Sequence, residues 1–275
     1  MPTTLSDFNA AVESLWPTGF AEGWDAPGLL SGAPDDEVTR VLLAVDAVGA
    51  SVDQAVASGA DVLFVHHPLL LRGVTTVAET GYKGALLAKL IRSRCALIAA
   101  HTNADIVDDG TSAVIAARLG LHDTVPLEPG ARPGTGIGRV GRLAEPTTLG
   151  RLALMLGELL PATATGIRVS GEYDQPVSTI SLCGGAGDSL LSLPAVRGSD
   201  VYITSDLRHH PASEFREQSV LGSHRGGPAL IDVSHWASEW LWLDTAAAQL
   251  AAVLPGVEFE VSELRTDPWD FVVTQ

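Results

Sequence analysis

The sequence predicts an α/β protein built as two α/β domains, each with a mostly parallel or mixed sheet flanked by helices. Three observations carry this. Short β-branched runs alternate with Ala/Leu-rich segments of helical period along most of the 275 residues. A Gly/Pro-rich stretch, EPGARPGTGIG at 128–138, interrupts that rhythm and reads as a linker. Apolar residues make up 46% of the chain and charged residues 18%, enough to bury a sizeable core and too few charges for global disorder.

In order, VTRVLLAVD (38–46) reads as a buried strand and SVDQAVASG (51–59) as a helix, with Ser51 as N-cap and Gly59 at its end. ADVLFVHH (60–67) is the next strand, GALLAKLIRSR (84–94) a helix, CALIAAHT (95–102) a strand and SAVIAARLG (112–120) a helix. Past the linker, TLGRLALMLGELL (148–160) is helical, and GIRVSG, VSTISLCG and DVYITSD are strands by composition. ALIDVSH (229–235) is another buried strand, SEWLWLDTAAAQLAAVL (238–254) a long helix and VEFEVSEL (257–264) a final strand. The expected domains are 1–127 with 228–275, and 128–227.

Thirty-three acids against 17 bases leave a net charge of −16, which disfavours general nucleic-acid binding. The start MPTTLSDFNA has no basic, apolar leader, and no run is long enough to span a membrane, so a cytoplasmic, soluble protein is expected. The two cysteines, Cys95 and Cys183, sit in apolar segments and read as buried thiols.

Chemistry concentrates just beyond strands, where open parallel sheets bind ligands. His66-His67-Pro68 follows DVLFV; Pro68 ends the pairing, so both imidazoles can reach one cavity, unless they are exposed loop histidines. His101 and Asp105 follow LIAA as a borderline and a hard donor, although Thr102, Asn103 and Asp105 also suit a turn. His235 and Glu239 share a face if a helix has begun by His235, with Trp236 and Trp240 alongside; otherwise they are a surface pair on a first turn. Together, five ligands with one bridging carboxylate can hold two divalent metals about 3.5–4 Å apart. Zn, Fe, Mn and Co all suit these donors.

Weaker features surround this set. His209-His210-Pro211 echoes the first His-His-Pro and reads as a surface loop or a supporting group. Gly184, Gly185 and Gly187 can offer backbone N–H groups to a phosphate or form a tight turn. Asp25 orients a ligand or fixes a turn. His122 and His224 have no companions and read as solvated.

The segments WDAPGLLSG, VHHPLLLRG, AAHTNAD, GIGRVG, LCGGAGDSL, YITSDLRHHPA, DVSHWASE and TDPWDFV occur in this order. With them the chain resembles the GTP cyclohydrolase I type 2 family, the Nif-three-like proteins, from about residue 16 to 273. The resemblance implies a Nif-three-like fold of two α/β domains, a dinuclear metal centre and a ring-shaped homohexamer. His66, His67, Asp105, His235 and Glu239 fall on the metal-ligand positions, and His101 falls close by. Ala26-Pro27 stands where the family usually has Asn-Val, Ser205 where it has Gly before the Asp, and Ser234 where it has Gly before the last His.

The expected activity is metal-dependent hydrolysis of a purine nucleotide: ring opening of GTP by activated water, with Glu239 bridging the metals and His101 shuttling a proton. The alternatives are a non-catalytic metal-binding, metal-handling or regulatory protein, and a hydrolase of a phosphoester or amide.

Overall fold

The structure, a computed structural model, describes residues 2–222 and 227–274. His224, expected to be solvated, lies outside the described residues. In chain order the elements are α1 (Leu5–Leu15), β1 (Gly28–Ser31), β2 (Arg40–Asp46), α2 (Gly49–Ser58), β3 (Val62–His67), α3 (Tyr82–Arg92), β4 (Ala96–Ala99), α4 (Thr102–Asp105) and α5 (Thr111–Arg118). There follow β5 (His122–Val125), β6 (Glu128–Pro129), β7 (Gly136–Ile137), β8 (Arg139–Thr148), α6 (Leu149–Leu159), β9 (Arg168–Ser170), β10 (Pro176–Ala186) and α7 (Pro194–Arg197). The last are β11 (Val201–Ser205), α8 (His209–Gly222), β12 (Ala229–Val233), α9 (His235–Val253) and β13 (Glu258–Val261). No helix among the described residues is long and apolar enough to cross a membrane.

The chain divides into two compact units, 1–104 with 242–266, and 105–241 with 267–275. In the first, five strands form a sheet in the order β1-β4-β3-β2-β13, parallel except for β1. β3 and β4 are buried almost end to end because a parallel sheet is covered on both faces. Leu42, Leu63, Val65 and Leu97 pack there against Val52 and Ala55 of α2 and Leu86, Leu87 and Leu90 of α3. The register sets Asp46 of β2 opposite His67 of β3.

In the second unit six strands run in the order β5-β8-β10-β11-β12-β9. β10, β11 and β12 are parallel, whereas β8 and β9 pair antiparallel at their neighbours' sides. The mixed sheet thus has a fully buried parallel centre. Its core joins Leu127, Cys183, Val196, Tyr202, Phe215 and Leu230.

Several local expectations shift. Ser51 is not the N-cap of α2, which begins two residues earlier. Its hydroxyl instead accepts from the N–H of Val48 (3.0 Å) and donates to the carbonyl of Asp46 (2.6 Å), tying the helix start to the end of β2. Gly59 does close α2, in the left-handed conformation. Residues 128–138, read as a linker, form the small ribbon of β6 and β7 inside the second unit. His209 and His210 open α8 rather than a loop. α1, with its Thr4–Asp7 capping box, and β1 lie in a stretch that sequence reading left unassigned.

Candidate functional site

The first unit gathers three histidines. His66 and His67 end β3, and His101 follows β4. Each of the three offers a ring nitrogen within 4.8 Å of the others, and the ring centroids are 5.1–5.4 Å apart. His66 is fully buried and packs on Trp242, centroid to centroid 5.4 Å.

One pattern recurs at every ring. His66 Nδ1 lies 2.8 Å from the carbonyl oxygen of Ala100. His67 Nδ1 lies 2.7 Å from Asp46 Oδ1, and His101 Nδ1 lies 2.8 Å from Asp25 Oδ1. Carbonyl and carboxylate oxygens accept only, so each Nδ1 carries the proton and each lone pair resides on Nε2. Proteins orient metal-ligating imidazoles in this way.

Asp25 and Asp46 are themselves held. The Asp25 carboxylate accepts from the N–H of Thr102 (3.0 Å), its hydroxyl (2.5 Å) and the N–H of Ala26 (2.7 Å). Burial raises its pKa, but the bonds from His101 and Thr102 outweigh burial and bring it down to about 2. It therefore faces His101 as an anion. The Asp46 carboxylate also accepts from the hydroxyl of Thr266. Asn103, fully buried, accepts from the His101 N–H (2.9 Å) and donates to the Trp16 carbonyl (2.7 Å). The His-Thr-Asn sequence is thus a brace for one imidazole.

The second unit holds Asp105, His235 and Glu239. Asp105 ends α4 and accepts from the hydroxyl of Thr111 at 2.5 Å. α9 does begin at His235, so His235 and Glu239 sit one turn apart. Nδ1 of His235 is 2.8 Å from Asp206 Oδ2, and Nε2 is 3.0 Å from Glu239 Oε1. Burial opposes charging this ring; Glu239 and Asp206 outweigh it and push its pKa up to about 11. Glu239 is only 3% exposed. Trp236 and Trp240 lie against each other, centroids 6.3 Å apart.

Two N–H groups of the glycine-rich stretch at the end of β10 are taken by side-chain hydroxyls. The N–H of Gly184 donates to Ser112 Oγ (3.1 Å) and that of Gly185 to Ser238 Oγ (3.0 Å). Gly185 has φ +69, and a Cβ there would lie 2.4 Å from Glu239 Oε1 and 3.3 Å from His235 Nε2. Glycine lets the backbone pass beside the Glu239–His235 pair. Cys183 is buried in the same region. Burial first, then the charges of Asp105 and Glu239, push its pKa up to about 12. Cys95 is likewise pushed up to about 12 by burial. Both are inert core thiols.

Sequence reasoning named the imidazoles, Asp105 and Glu239 but not the supporting acids Asp46 or Asp206. It left Asp25 between orienting a ligand and fixing a turn; in the structure its carboxylate meets His101 Nδ1 and the N–H groups of Ala26 and Thr102. For Asp46 the available signal was an acid at the end of a strand adjoining the His-His strand. Asp206, a non-glycine residue at φ 56, gave no spacing signal.

The family model Duf34/NIF3 (NGG1p interacting factor 3) matches residues 3–268. The chain belongs to this family. A Streptomyces coelicolor protein called GTP cyclohydrolase 1 type 2 homolog is 46% identical over 272 residues, covering 96% of this chain and 93% of that one. A Bacillus cereus protein related to NIF3 has the same fold, with a TM-score of 0.88, 22% identity and coverage of 99% and 100%. A Staphylococcus aureus hypothetical protein matches with a TM-score of 0.87, 26% identity and the same coverage. The Nif-three-like fold expected from the motifs is therefore the fold of this family.

Proposed function

We propose that this chain binds two divalent cations, with His66 and His67 of the first unit and Asp105, His235 and Glu239 of the second as ligands. We further propose that it hydrolyses a purine nucleotide, opening the imidazole ring of GTP. One observation supports this most: His66 and His67 each have Nδ1 engaged by a carbonyl or carboxylate, which makes Nε2 the coordinating atom. Three imidazoles and two carboxylates fit Zn, Fe, Mn or Co. The substrate class follows the name of the Streptomyces coelicolor relative.

When bound, such a pair supplies Lewis acidity and acidifies water. The protein's own groups do the rest. Glu239 would hold the cations as a buried carboxylate ligand. His101 takes and returns a proton at Nε2 while the Asp25 anion holds its Nδ1–H. The net charge of −16 favours a small nucleotide over a nucleic acid. We place the protein in the cytoplasm as a homohexamer.

Purified protein loaded in turn with Mn, Fe, Co and Zn, incubated with GTP beside a Glu239→Ala control, tests the reaction. The expected result is ring-opened product from the parent and none from the control. Cation binding without turnover of GTP would remove the cyclohydrolase assignment and leave a metal-binding protein or another hydrolase.

A further inference from the structure

The segment TDPWDFV supplies none of these ligands, yet its first two residues reach the supports of two of them. The chain leaves β13 at Val261 and is tied down at once. The N–H of Ser262 donates to the carbonyl of Leu43 (2.7 Å), and the Ser262 hydroxyl donates to Gln54 Oε1 on α2 (2.6 Å). Thr266 and Asp267 follow, and then Pro268. A proline biases the residue before it toward extended backbone. Consecutive side chains of an extended chain leave on opposite sides, so neighbours can serve different partners.

Thr266 serves His67. Its hydroxyl donates to Asp46 Oδ2, while Asp46 Oδ1 takes Nδ1 of His67. A carboxylate held by one oxygen alone can turn about its broad terminal torsion. With the second oxygen engaged by Thr266, the plane of Asp46 is fixed, and with it the direction of the imidazole.

Asp267 serves His235. Ser234 is the N-cap of α9: its hydroxyl oxygen accepts from the N–H of Ala237 (3.2 Å), and its carbonyl accepts from the N–H of Ser238 (3.0 Å). The same hydroxyl donates to Asp267 Oδ1 (2.7 Å). Asp267 Oδ2 is held in turn by the N–H of Trp269 (3.3 Å). Ser234 and Asp267 are both buried, so little water competes for their bond. His235 is the first residue of α9, so whatever fixes the cap fixes the approach of its ring.

We propose that Thr266 and Asp267 are positioning residues, Thr266 for His67 through Asp46 and Asp267 for His235 through Ser234. Ligating groups have to be held within about 0.5 Å of their working geometry, and one dipeptide supplies that restraint to an imidazole in each unit. This role rests on both imidazoles being cation ligands, but the hydrogen bonds that create it need no cation.

In the full-length protein, Thr266→Val and Asp267→Ala remove the two supports, whereas Thr266→Ser keeps a donating hydroxyl and Asp267→Asn an accepting oxygen. Calorimetric titration with Zn gives the first readout. A group directly behind a ligating histidine is worth about 10–100-fold in affinity; Thr266 and Asp267 stand one residue further back, so each removal should cost roughly threefold to tenfold. The serine and asparagine variants should bind like the parent. Thr266→Val should have no further effect in Asp46→Ala protein, and Asp267→Ala none in Ser234→Ala protein. A general loosening of the fold would lower affinity in those backgrounds too. The second readout is the NMR signal of each Nδ1–H in metal-free protein. The His67 signal should be lost in Thr266→Val and the His235 signal in Asp267→Ala, with both kept in the conservative variants. Should Asp267→Ala fail to fold, Ser234→Ala, which deletes the donor of the same bond, supplies both readouts. Unchanged affinity with both signals retained overturns the proposal, as does an equal loss of affinity in the backgrounds that lack Asp46 or the Ser234 hydroxyl. A parent that binds no Zn removes the cation reading; the signals then decide alone, their loss upholding the positioning of the two rings and their retention overturning it.

Discussion

Asp46 and His67 face each other across the β2–β3 ladder, with Oδ1 2.7 Å from Nδ1. The contact is written into the sheet: a one-residue slip of register would turn the two side chains to opposite faces. The pairing of two buried strands thus fixes the tautomer and direction of a candidate ligand.

Asp46→Ala should therefore weaken divalent-cation affinity without unfolding the sheet. Loss of a carboxylate behind a ligating histidine costs roughly 10–100-fold. Calorimetric titration with Zn or Mn reads the change. Asp46→Asn keeps an accepting oxygen and should fall between parent and alanine variant.

Gly185→Ala tests the close approach of β10 to the Glu239–His235 pair. The added methyl needs φ +69 and would sit 2.4 Å from Glu239 Oε1. Strain of this kind costs on the order of 1–3 kcal/mol, seen as a lowered unfolding midpoint in urea. Cation content should fall with it, because Glu239 has to move.

Asp25 makes stability depend on pH in a defined direction. Its folded pKa of about 2 lies below the ordinary carboxylate value. A depressed folded pKa stabilises the protein above the unfolded pKa, and that contribution disappears as pH falls from about 4 to 2. Solvent screening of this half-buried group reduces its size to on the order of 1 kcal/mol. Urea unfolding of parent and Asp25→Asn protein at pH 6 and pH 3 reads it: the gap between them should shrink at pH 3. A gap that widens on acidification would contradict the assignment.

Both thiols should be silent to a water-soluble disulfide reagent in the folded protein and react fully in denaturant. Cys95 and Cys183 are buried, and burial pushes each pKa up to about 12.

The parallel strands and their helices were legible because a doubly covered strand is apolar throughout and a helix repeats at its own period. Val62–His67 and His235–Val253 show both signals. The antiparallel pieces were harder. β1 and β5 are short, and β5 is exposed along its whole length, so its residues carry no burial pattern; β9, equally short and exposed, was legible only from the composition of GIRVSG. Residues 128–138 misled for a physical reason: glycines there serve tight packing rather than a linker. Gly136, at φ +149, would place a Cβ 2.2 Å from the Glu128 carbonyl oxygen. Within the site, imidazoles and acids beyond strands could be read from residue type and position. Their supports could not, since Asp46 meets His67 only through strand register and Asp206 meets His235 only where β11 ends beside α9.

Cation ligation by His66, His67, Asp105, His235 and Glu239 is open to direct measurement. Elemental analysis of protein purified without added metal, compared with a His67→Ala/Glu239→Ala variant of equal folded content, tests it most directly. The parent should carry about two divalent ions per chain and the variant close to none. Equal metal content in the two proteins, or none in the parent even after dialysis against Zn, Fe, Mn and Co, would contradict it.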